Sequence, residues 1–418
     1  MSTYELVKAK ATAAHVASVQ LAQTSTAIKN AALMAMADAL LAHSEYILAE
    51  NAKDMAAAAA GGMKQSMLDR LKLTQDRIDG MAEGLRQVAV LADPIGNVLD
   101  GRTLANGLRI IKQRVPLGVI GIIYEARPNV TADAIGLCIK SGNAVVLKGG
   151  SEAMLSNVAV ATILAKAGEL AGMPQGAVQL IDTTDRAAVS DLIKMNGLVD
   201  VVIPRGGAGL IKIVVQNATV PVIETGAGVC HTYVDATADV EMARKIAFNA
   251  KVQRPSVCNA METLLVHKDA AASFMPLMLA DYFAAGVTIY GCERTQAFDA
   301  RVLPATEEDW STEYGDLRLS VKIVNDIDEA IVHIAKYSTK HSECIVTSCY
   351  ANACKFQYEV DAAAVYVNAS TRFTDGFEFG LGAEIGISTQ KLHARGPMGL
   401  CELTSTKYLI NGNGQVRG

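Results

Sequence analysis

The run Leu117-Gly-Val-Ile-Gly-Ile-Ile-Tyr124 is apolar throughout, and after a helical stretch it is followed by a second apolar run, Ala144-Val-Val-Leu147. Neither run alternates apolar with polar residues, which is the pattern of strands that are buried on both faces. Such strands occur in parallel sheets covered by helices. We therefore expect both runs to be strands of a parallel sheet.

The same pattern continues along the chain. Further apolar runs, each separated by a helical pattern, predict strands at 178–181, 199–203, 220–223, 263–267, 287–290, 319–324, 344–348 and 365–368. Residues 1–93 are helical by the spacing of Ala, Leu and Met. The fold class predicted is α/β, with two doubly wound αβ domains, parallel sheets, and ligands at the carboxyl ends of the strands.

A hairpin is predicted before the first apolar run. Asn106-Gly107 is a strong two-residue turn signal between 98–104 and 108–111. A hairpin so short is marginal alone, so we expect it to pair with another segment. The apolar strand Lys407–Ile410 could complete the hairpin of a neighbouring subunit. Residues 98–112 with 404–412 are therefore predicted to be oligomerisation strands of a homo-oligomer.

Composition excludes several classes of protein. The 418 residues carry 38 Lys and Arg against 43 Asp and Glu, half are hydrophobic, and the mean hydropathy is +0.23. This composition argues against disorder, and the mild acidity argues against nucleic-acid binding. The most apolar stretch, 115–124, is too short to span a membrane. Eight cysteines without zinc-type spacing indicate reduced thiols in a cytoplasmic protein that holds no metal.

Two glycine-rich turns are candidates for a nucleotide site. Pro204-Arg-Gly-Gly-Ala-Gly209 lies between a predicted strand and helix, where backbone N–H groups can hold phosphate. Leu147-Lys-Gly-Gly-Ser151 follows another strand, and Lys148 could meet a ribose or a phosphate. A tight turn and a solvated lysine are the alternatives. Two such turns at the ends of one parallel sheet favour a nucleotide lying across it.

A third candidate is the cysteine in Lys251-Val-Gln-Arg-Pro-Ser-Val-Cys-Asn259. Cys258 lies in a loop at the junction of the two αβ regions, and clefts between domains are favoured sites. The neighbouring Lys251 and Arg254 would favour a thiolate nucleophile. The alternative is that Cys258 is a small buried apolar residue.

Two further polar stretches follow predicted strands. In Glu125-Ala-Arg-Pro-Asn-Val130, Asn129 could donate to an oxyanion or could cap the following helix. In Asn368-Ala-Ser-Thr-Arg-Phe-Thr-Asp375, Arg372 suits the recognition of carboxylate or phosphate, unless this is only a surface loop.

These stretches together resemble one family. Val115–Gly121, Tyr124–Thr131, Pro204–Gly209, Gln253–Asn259, Val367–Gly376 and Ser388–Gly399 are similar to the motifs of the gamma-glutamyl phosphate reductases, a branch of the aldehyde dehydrogenase superfamily. The resemblance covers essentially the whole chain. It implies an aldehyde-dehydrogenase-like fold and reduction of L-glutamyl 5-phosphate by NADPH to L-glutamate 5-semialdehyde and phosphate, in proline biosynthesis.

The resemblance also implies residue roles. Cys258 would be the nucleophile and Asn129, with the Cys258 N–H, the oxyanion donor. The cofactor would be held by Lys148, Gly149, Ser151, Arg205, Gly206, Gly207, Gly209, Glu313 and, less centrally, Glu224. Arg127, Arg254, Ser370 and Arg372 are our hypothesis for substrate binding. Lys148 is compatible with NAD and NADP, so the preference for NADPH/NADP+ comes from the resemblance.

Domain roles follow in the same way. Residues 1–97 and 113–252 would form the cofactor-binding domain and 253–370 the catalytic domain, with the irregular segment 371–403 draped over both. Glutamate 5-kinase is a conceivable partner, and the chain is too short to contain a fused kinase. The alternatives are a hydrolytic NAD(P)-dependent aldehyde dehydrogenase and a non-catalytic relative of the same fold.

Overall fold

The computed structural model describes residues 2–417, which form two compact units. Unit 1 contains the described residues up to Thr225, Gly380–Gly386 and the described residues from Met398 onward. Unit 2 contains Gly226–Phe379 and Ile387–Pro397.

Helices and strands are numbered in chain order. The helices are α1 Thr3–Leu21, α2 Thr26–Ala42, α3 Ser44–Ala60, α4 Gln65–Leu71, α5 Gln75–Val90, α6 Pro128–Lys140, α7 Met154–Leu170, α8 Ala187–Leu192, α9 Ala208–Asn217, α10 Val240–Val252, α11 Lys268–Ala284, α12 Glu293–Gln296, α13 Ile327–Tyr337 and α14 Tyr350–Glu359. The strands are β1 Val98–Thr103, β2 Arg109–Pro116, β3 Val119–Tyr124, β4 Ala144–Gly149, β5 Val178–Leu180, β6 Val201–Arg205, β7 Cys230–Val234, β8 Met261–His267, β9 Thr288–Gly291, β10 Leu303–Pro304, β11 Arg318–Val324, β12 Ser342–Val346, β13 Ala364–Val367, β14 Ile387–Ser388, β15 Gly396–Pro397 and β16 Thr404–Asn411.

The two apolar runs that opened the sequence are β3 and β4, and they are neighbours in a parallel sheet of order β5-β4-β3-β6. Every residue of both strands is buried. Tyr124, at the end of β3, lies opposite Gly149 of β4 and Arg205 of β6. The turns that follow these three strands therefore lie at one edge of the sheet, as predicted.

The helical prediction for residues 1–93 is confirmed by α1–α5. Helix α1 packs Val7, Ala11 and Ala14 into the same core cluster as strand residues of the sheet. The stretch Ser151–Leu170 is long and apolar enough to cross a membrane by length and composition. Because α2, α3 and α6 pack against α7 within unit 1, this composition is explained by burial in a core.

One predicted strand of unit 1 is wrong. Residues 220–223 contribute only an isolated bridge between Val202 and Val222. Val202 N–H donates to the Pro221 carbonyl at 2.8 Å, and Ile223 N–H donates to the Val202 carbonyl at 3.0 Å. Pro221 has no N–H of its own, which limits the pairing of this segment along β6.

Unit 2 is built on a second parallel sheet, of order β10-β9-β11-β8-β7-β12-β13. Alternate strand residues enter two core clusters: Leu264 and Val266 pack in the cluster that contains α10 and α11 residues, and Leu265 packs with α13 and α14 residues. The fold class predicted from the sequence, two αβ domains with parallel sheets, is confirmed.

The predicted boundary between the domains differs from the observed division. We placed the end of the cofactor-binding domain at residue 252, whereas unit 2 begins at Gly226. The reason is β7, which the sequence analysis missed because its letters Cys-His-Thr-Tyr-Val include polar residues. All five are buried, and the strand pairs with both β8 and β12.

The hairpin forms a separate antiparallel sheet of order β1-β2-β16. The hairpin is confirmed, but the two-residue Asn106-Gly107 turn is not: Gly107 N–H donates to the Leu104 carbonyl at 2.9 Å and Gly107 alone has a positive φ, of 88°, so the loop has three residues. Strand β16 pairs with β2 of its own chain, from Thr404 opposite Pro116 to Asn411 opposite Arg109. It therefore does not complete the hairpin of a neighbour, as we had suggested, and oligomerisation through this sheet stays a prediction.

Candidate active site

The glycine-rich turn after β6 leads directly into α9. Gly207 is the N-cap of that helix and supplies no side-chain cap. Gly206, Gly207 and Gly209 are exposed, and a Cβ atom at Gly209 would meet no atom within 4 Å. The first N–H groups of a helix have no acceptor inside the helix. A ligand can therefore approach the backbone at the start of α9.

Glu125, which follows β3, already occupies part of this turn. Its Oε2 accepts a hydrogen bond from Gly207 N–H at 2.8 Å. A Cβ atom at Gly206 would lie 2.7 Å from the same carboxylate oxygen. Sequence reasoning gave Glu125 no role, although its place directly after a strand was a signal. The donors left for an anion at this end of α9 are the N–H groups of Ala208, Gly209 and Leu210.

Lys148 is not the solvated lysine that we considered as an alternative. Its side chain is buried, and Nζ donates to the Gly149 carbonyl at 2.9 Å. Burial lowers the pKa of Lys148, while the charges of Glu152 and Asp185 act in the opposite direction. A buried ammonium group at the end of a strand can bind a hydroxyl group or a phosphate without much reorganisation.

The residues that follow Lys148 have different surroundings. A Cβ atom at Gly149 would lie 2.1 Å from Asn157 Nδ2, so glycine is required here by packing inside unit 1. Ser151 is exposed and begins a short 3₁₀ helix that ends at Ala153. The start of α7 is capped by Asp54 of α3, whose Oδ2 accepts from Ser156 N–H at 2.8 Å.

Asn129 is not the N-cap of the helix that follows β3. The N-cap is Arg127, Pro128 is the first residue of α6, and Asn129 is exposed in the first turn. Asn129 Nδ2 donates to Asp133 Oδ2, one helical turn later, at 3.3 Å. Burial raises the pKa of Asp133 to about 6, although this hydrogen bond and the charge of Arg205 lower it. The i, i+4 spacing was a signal for Asp133 that we missed.

Glu224 lies in the segment beside β6, where it is half-buried. The next residue, Thr225, donates its hydroxyl to the Pro204 carbonyl at 2.6 Å, which ties this segment to the glycine-rich turn. The role of Glu224 stays a prediction.

Unit 1 therefore has the groups that part of a bound dinucleotide would need. The uncapped and exposed start of α9 supplies backbone donors for phosphate, and buried Lys148 supplies a cation at the neighbouring strand end. Gly207 departs from the prediction, because its N–H already donates to Glu125. Arg205 and Gly206 lie in the same turn, beside Glu125 and Asp133.

In unit 2, Cys258 lies in a tight turn between α10 and β8. Ala260 N–H donates to the Val257 carbonyl at 3.0 Å, which makes Cys258 and Asn259 the two central residues of this turn. Cys258 is half-buried, whereas Cys138 and Cys344 are fully buried. Burial raises the pKa of Cys344 to about 12. Cys258 is thus the more suitable nucleophile of these three.

Lys251 does not have the role that we gave it. Its Nζ lies 2.5 Å from Glu262 Oε2, and both side chains are fully buried. Burial lowers the pKa of Lys251 and raises the pKa of Glu262 to about 7. The charge of Lys251 is therefore directed to Glu262 and holds α10 to β8.

Two arginines lie close to the Cys258 turn. Arg372 Nε donates to Gln253 Oε1 at 2.8 Å. Burial and the positive charge of Arg254 lower the pKa of Arg372, while the Cys258 side chain acts in the opposite direction. Two guanidinium groups close enough to repel each other beside a thiol form a site suited to an anion with more than one negative charge.

The segment that carries Arg372 is bound to the Cys258 turn by hydrogen bonds. Thr371 Oγ1 donates to the Asn259 carbonyl at 2.8 Å, and Asn259 Nδ2 donates to the Thr374 carbonyl at 2.9 Å. Ser370 is buried and caps this short helical turn by accepting from Arg372 N–H at 3.3 Å. Unit 2 thus brings Cys258, Arg254, Ser370 and Arg372 together.

Glu313 also belongs to this part of unit 2. Its Oε1 accepts from Gly228 N–H at 3.0 Å, and a Cβ atom at Gly228 would lie 1.5 Å from the Cys258 carbonyl oxygen. Glu313 therefore binds the residue that packs against the Cys258 carbonyl. The sequence analysis singled out Glu313 but not Gly228.

Comparison with known proteins identifies the family. The family model described as "Aldehyde dehydrogenase family" matches residues 1–287. A gamma-glutamyl phosphate reductase of Caldanaerobacter subterraneus is 59% identical over 411 residues, which are 98% of this chain and 99% of the relative. The crystal structure of a gamma-glutamyl phosphate reductase from Thermotoga maritima has a TM-score of 0.96 and 48% identity, and covers 99% of this chain and 100% of its own.

A more distant structure shares the fold. An engineered glycolyl-CoA reductase with bound NADP+ has a TM-score of 0.69 and 15% identity, and covers 96% of both chains. Together, the whole-length identity and the family model settle the relationship. The chain belongs to the gamma-glutamyl phosphate reductases, which are oxidoreductases of the aldehyde dehydrogenase family.

Proposed function

We propose that this chain reduces L-glutamyl 5-phosphate to L-glutamate 5-semialdehyde with NADPH, releasing phosphate, as a step of L-proline biosynthesis in the cytoplasm. Membership of the family supports the reductase activity and a nicotinamide cofactor. The observation that carries the proposal is the half-buried Cys258 with Arg254 and Arg372 beside it. A thiol next to two cations suits a phosphorylated acyl substrate.

The first step uses the thiol. The Cys258 thiolate attacks the acyl carbon, and the carbonyl oxygen becomes an oxyanion for which Asn129 is the donor that the motif assigns. Arg254 and Arg372 bind the phosphate, which then leaves with the electron pair of the C–O bond. The product of this step is a thioester on Cys258, so that one difficult reduction becomes two easier steps. Arg127 and Ser370 are proposed to bind the remaining groups of the substrate.

The second step needs a reductant. When bound, NADPH supplies the hydride that converts the thioester to the aldehyde level. The residues that would hold it are Ala208 and Gly209 at the start of α9, Lys148 and Ser151 after β4, and Glu313. After the reduction, the carbon–sulfur bond breaks, the aldehyde leaves and the Cys258 thiolate is restored.

Hydrolysis of the thioester is the competing reaction. Glu224 corresponds by motif to the glutamate that activates water in hydrolytic aldehyde dehydrogenases, and it is the residue that favours this second candidate function. The two activities differ in the oxidising direction, since the phosphorylating enzyme needs inorganic phosphate and a hydrolytic enzyme does not. We expect aldehyde-dependent formation of NADPH to depend on added phosphate.

The proposal is tested by following NADPH oxidation with glutamyl phosphate that glutamate 5-kinase makes in the same vessel. Cys258→Ala should lose at least about a thousandfold in kcat, because the covalent route is removed. Cys354→Ala, at an exposed cysteine, is the matched control and should retain wild-type kcat. Wild-type turnover by Cys258→Ala would overturn the proposal.

We also propose that the chain forms a homo-oligomer through the β1-β2-β16 sheet. Val98, Leu99, Tyr408 and Ile410 on these strands are large apolar side chains that are exposed in the single chain. Light scattering of the wild type and of a Tyr408→Lys, Ile410→Lys variant would test this assignment. A monomeric wild type would contradict it.

A further inference from the structure

The orientation of the peptide between Cys258 and Asn259 is not determined by the turn itself. In a four-residue turn, the two common types differ by a rotation of about 150–170° of the central peptide, while the flanking residues stay in place. Asparagine at the third position is compatible with both types. In this structure, the described residues other than glycine that have positive φ are Lys340, Asn368 and His393. Asn259 is therefore in the type that lacks positive φ.

Two residues that precede or begin β7 lie against the carbonyl group of this peptide. Cys230 Sγ donates to the Cys258 carbonyl oxygen at 3.2 Å. A Cβ atom at Gly228 would lie 1.5 Å from the same oxygen, so only glycine at position 228 leaves room for this carbonyl group. Rotation of the peptide would remove the Cys258 carbonyl as an acceptor of the Cys230 thiol, leaving His341 Nδ1 at 3.7 Å as its other polar partner, and would turn the Asn259 N–H toward Cys230.

The segment that carries Cys230 is itself held in place. Gly228 N–H donates to Glu313 Oε1 at 3.0 Å, and Val229 N–H donates to Thr339 Oγ1 at 2.9 Å. Cys230 is fully buried in the strand β7, which pairs on both sides. The thiol is thus presented to the Cys258 carbonyl from a rigid part of unit 2.

Cys230 remains a thiol, and so a donor, under the conditions in which Cys258 reacts. Burial raises the pKa of Cys230 well above its ordinary value, and the negative charge of Glu343 adds to this effect. A thiolate has no proton to donate to a carbonyl group. The two cysteines therefore have opposite chemistry, since one has to lose its proton and the other has to keep it.

We propose that Cys230 is a positioning residue: its S–H group, with the space left by Gly228, holds the central peptide of the nucleophile turn in one orientation and so sets the position of the Cys258 thiol. This inference rests on the proposed role of Cys258. It assigns to Cys230 no contact with substrate or cofactor.

The test compares Cys230→Ala, which removes the donor, with Cys230→Ser, which keeps one. We expect Cys230→Ala to lower kcat about tenfold with KM changed less than threefold, because a small displacement of a reacting group costs rate rather than binding. Cys230→Ser should stay within about threefold of the wild type. The control is Cys138→Ala, which also removes a fully buried thiol, in α6, and should change kcat less than twofold.

A second measurement does not depend on turnover. The rate at which iodoacetamide alkylates Cys258, followed by mass spectrometry, should fall about fivefold in Cys230→Ala and in Gly228→Ala. Thermal unfolding of each variant separates a lower alkylation rate from loss of the fold. If Cys230→Ala does not fold, the alkylation rate of Gly228→Ala tests the proposal in its place. The proposal would be overturned if Cys230→Ala had wild-type kcat and alkylation rate, or if Cys230→Ser were as impaired as Cys230→Ala.

Failure of this inference is distinguishable from failure of the proposed function. If Cys258→Ala were fully active, the proposed function would fail, but the alkylation rates would still report whether Cys230 sets the position of the Cys258 thiol. If Cys258→Ala were inactive and Cys230→Ala normal by both measurements, only the positioning role would fail.

Discussion

The glycine-rich turn after β6 and the cysteine turn before β8 are built in different ways. The turn at Pro204–Gly209 connects a strand to a helix, and its contacts come from Glu125, which follows β3, and from Thr225, which follows the segment bridged to β6. The turn at Val257–Ala260 is held by residues from two distant segments, one with Gly228 and Cys230 and the other with Thr371 and Thr374. The first arrangement leaves backbone donors exposed for a ligand, whereas the second fixes one side chain.

The largest expected effect concerns the buried ion pair beside the cysteine turn. Lys251→Met should lower the free energy of unfolding by about 3–5 kcal/mol, because the buried Glu262 carboxyl would lose its ion-pair partner. The double variant Lys251→Met, Glu262→Leu should recover most of this loss. Urea unfolding measures both.

This prediction also separates support of the fold from activation of the thiol. If Lys251 activated Cys258, the double variant would be stable but inactive. We expect it to retain kcat within about threefold of the wild type, since the charge of Lys251 is directed to Glu262.

The next effect concerns the two arginines of the cysteine turn. Arg372→Ala and Arg254→Ala should each raise the KM for glutamyl phosphate about tenfold or more, because a hydrogen bond to a charged group contributes about 1.5–3 kcal/mol. Arg301→Ala, at an exposed arginine paired with Asp299, is the control and should leave KM unchanged. Unchanged KM in both active-site variants would refute the anion site.

The next effect concerns Asp133 in unit 1. Its folded pKa is about 6 against an ordinary value of 3.8, so the folded chain binds more protons than the unfolded chain between these pH values. Its contribution to stability is therefore lost as pH rises through this window. Asp133→Asn should gain about 2 kcal/mol in unfolding free energy relative to the wild type on going from pH 4 to pH 7.5. Equal pH dependence of the two proteins, measured by urea unfolding, would contradict the raised pKa.

The smallest effect tests the glycine-rich turn. Glu125→Gln keeps an oxygen acceptor for Gly207 N–H and removes a negative charge from the start of α9. If a phosphate of the cofactor binds there, the KM for NADPH should fall about twofold to threefold, which corresponds to about 0.5 kcal/mol. Steady-state kinetics with NADPH varied would show it. An increase in KM would indicate that Glu125 itself binds the cofactor or positions the turn.

Local sequence patterns predicted those parts of the molecule that local physics determines. The unbroken apolar runs of β3 and β4 predicted a buried parallel sheet, and Asn106-Gly107 predicted a hairpin. Local sequence patterns failed where distant residues decide the structure. Strand β7 was missed because its polar letters are satisfied by partners such as Glu343 for His231, and the partner of Lys251 is Glu262 on the next strand.

The candidate site shows the same division. Motifs were sufficient to single out Cys258, Arg372 and Lys148. The support of the Cys258 carbonyl by Gly228 and Cys230 depends on residues 28–30 positions away, which meet only after the second sheet has formed. No periodicity or turn rule contains that information.

The central claim is that the Cys258 sulfur becomes bonded to the acyl group of the substrate. The most direct measurement is mass spectrometry of the chain after rapid acid quenching with glutamyl phosphate in the absence of NADPH. The account predicts one glutamyl group per chain, located on the peptide that contains Cys258 and removed by hydroxylamine. An unmodified Cys258 in a preparation that turns over with NADPH, or a glutamyl group on another cysteine, would contradict it.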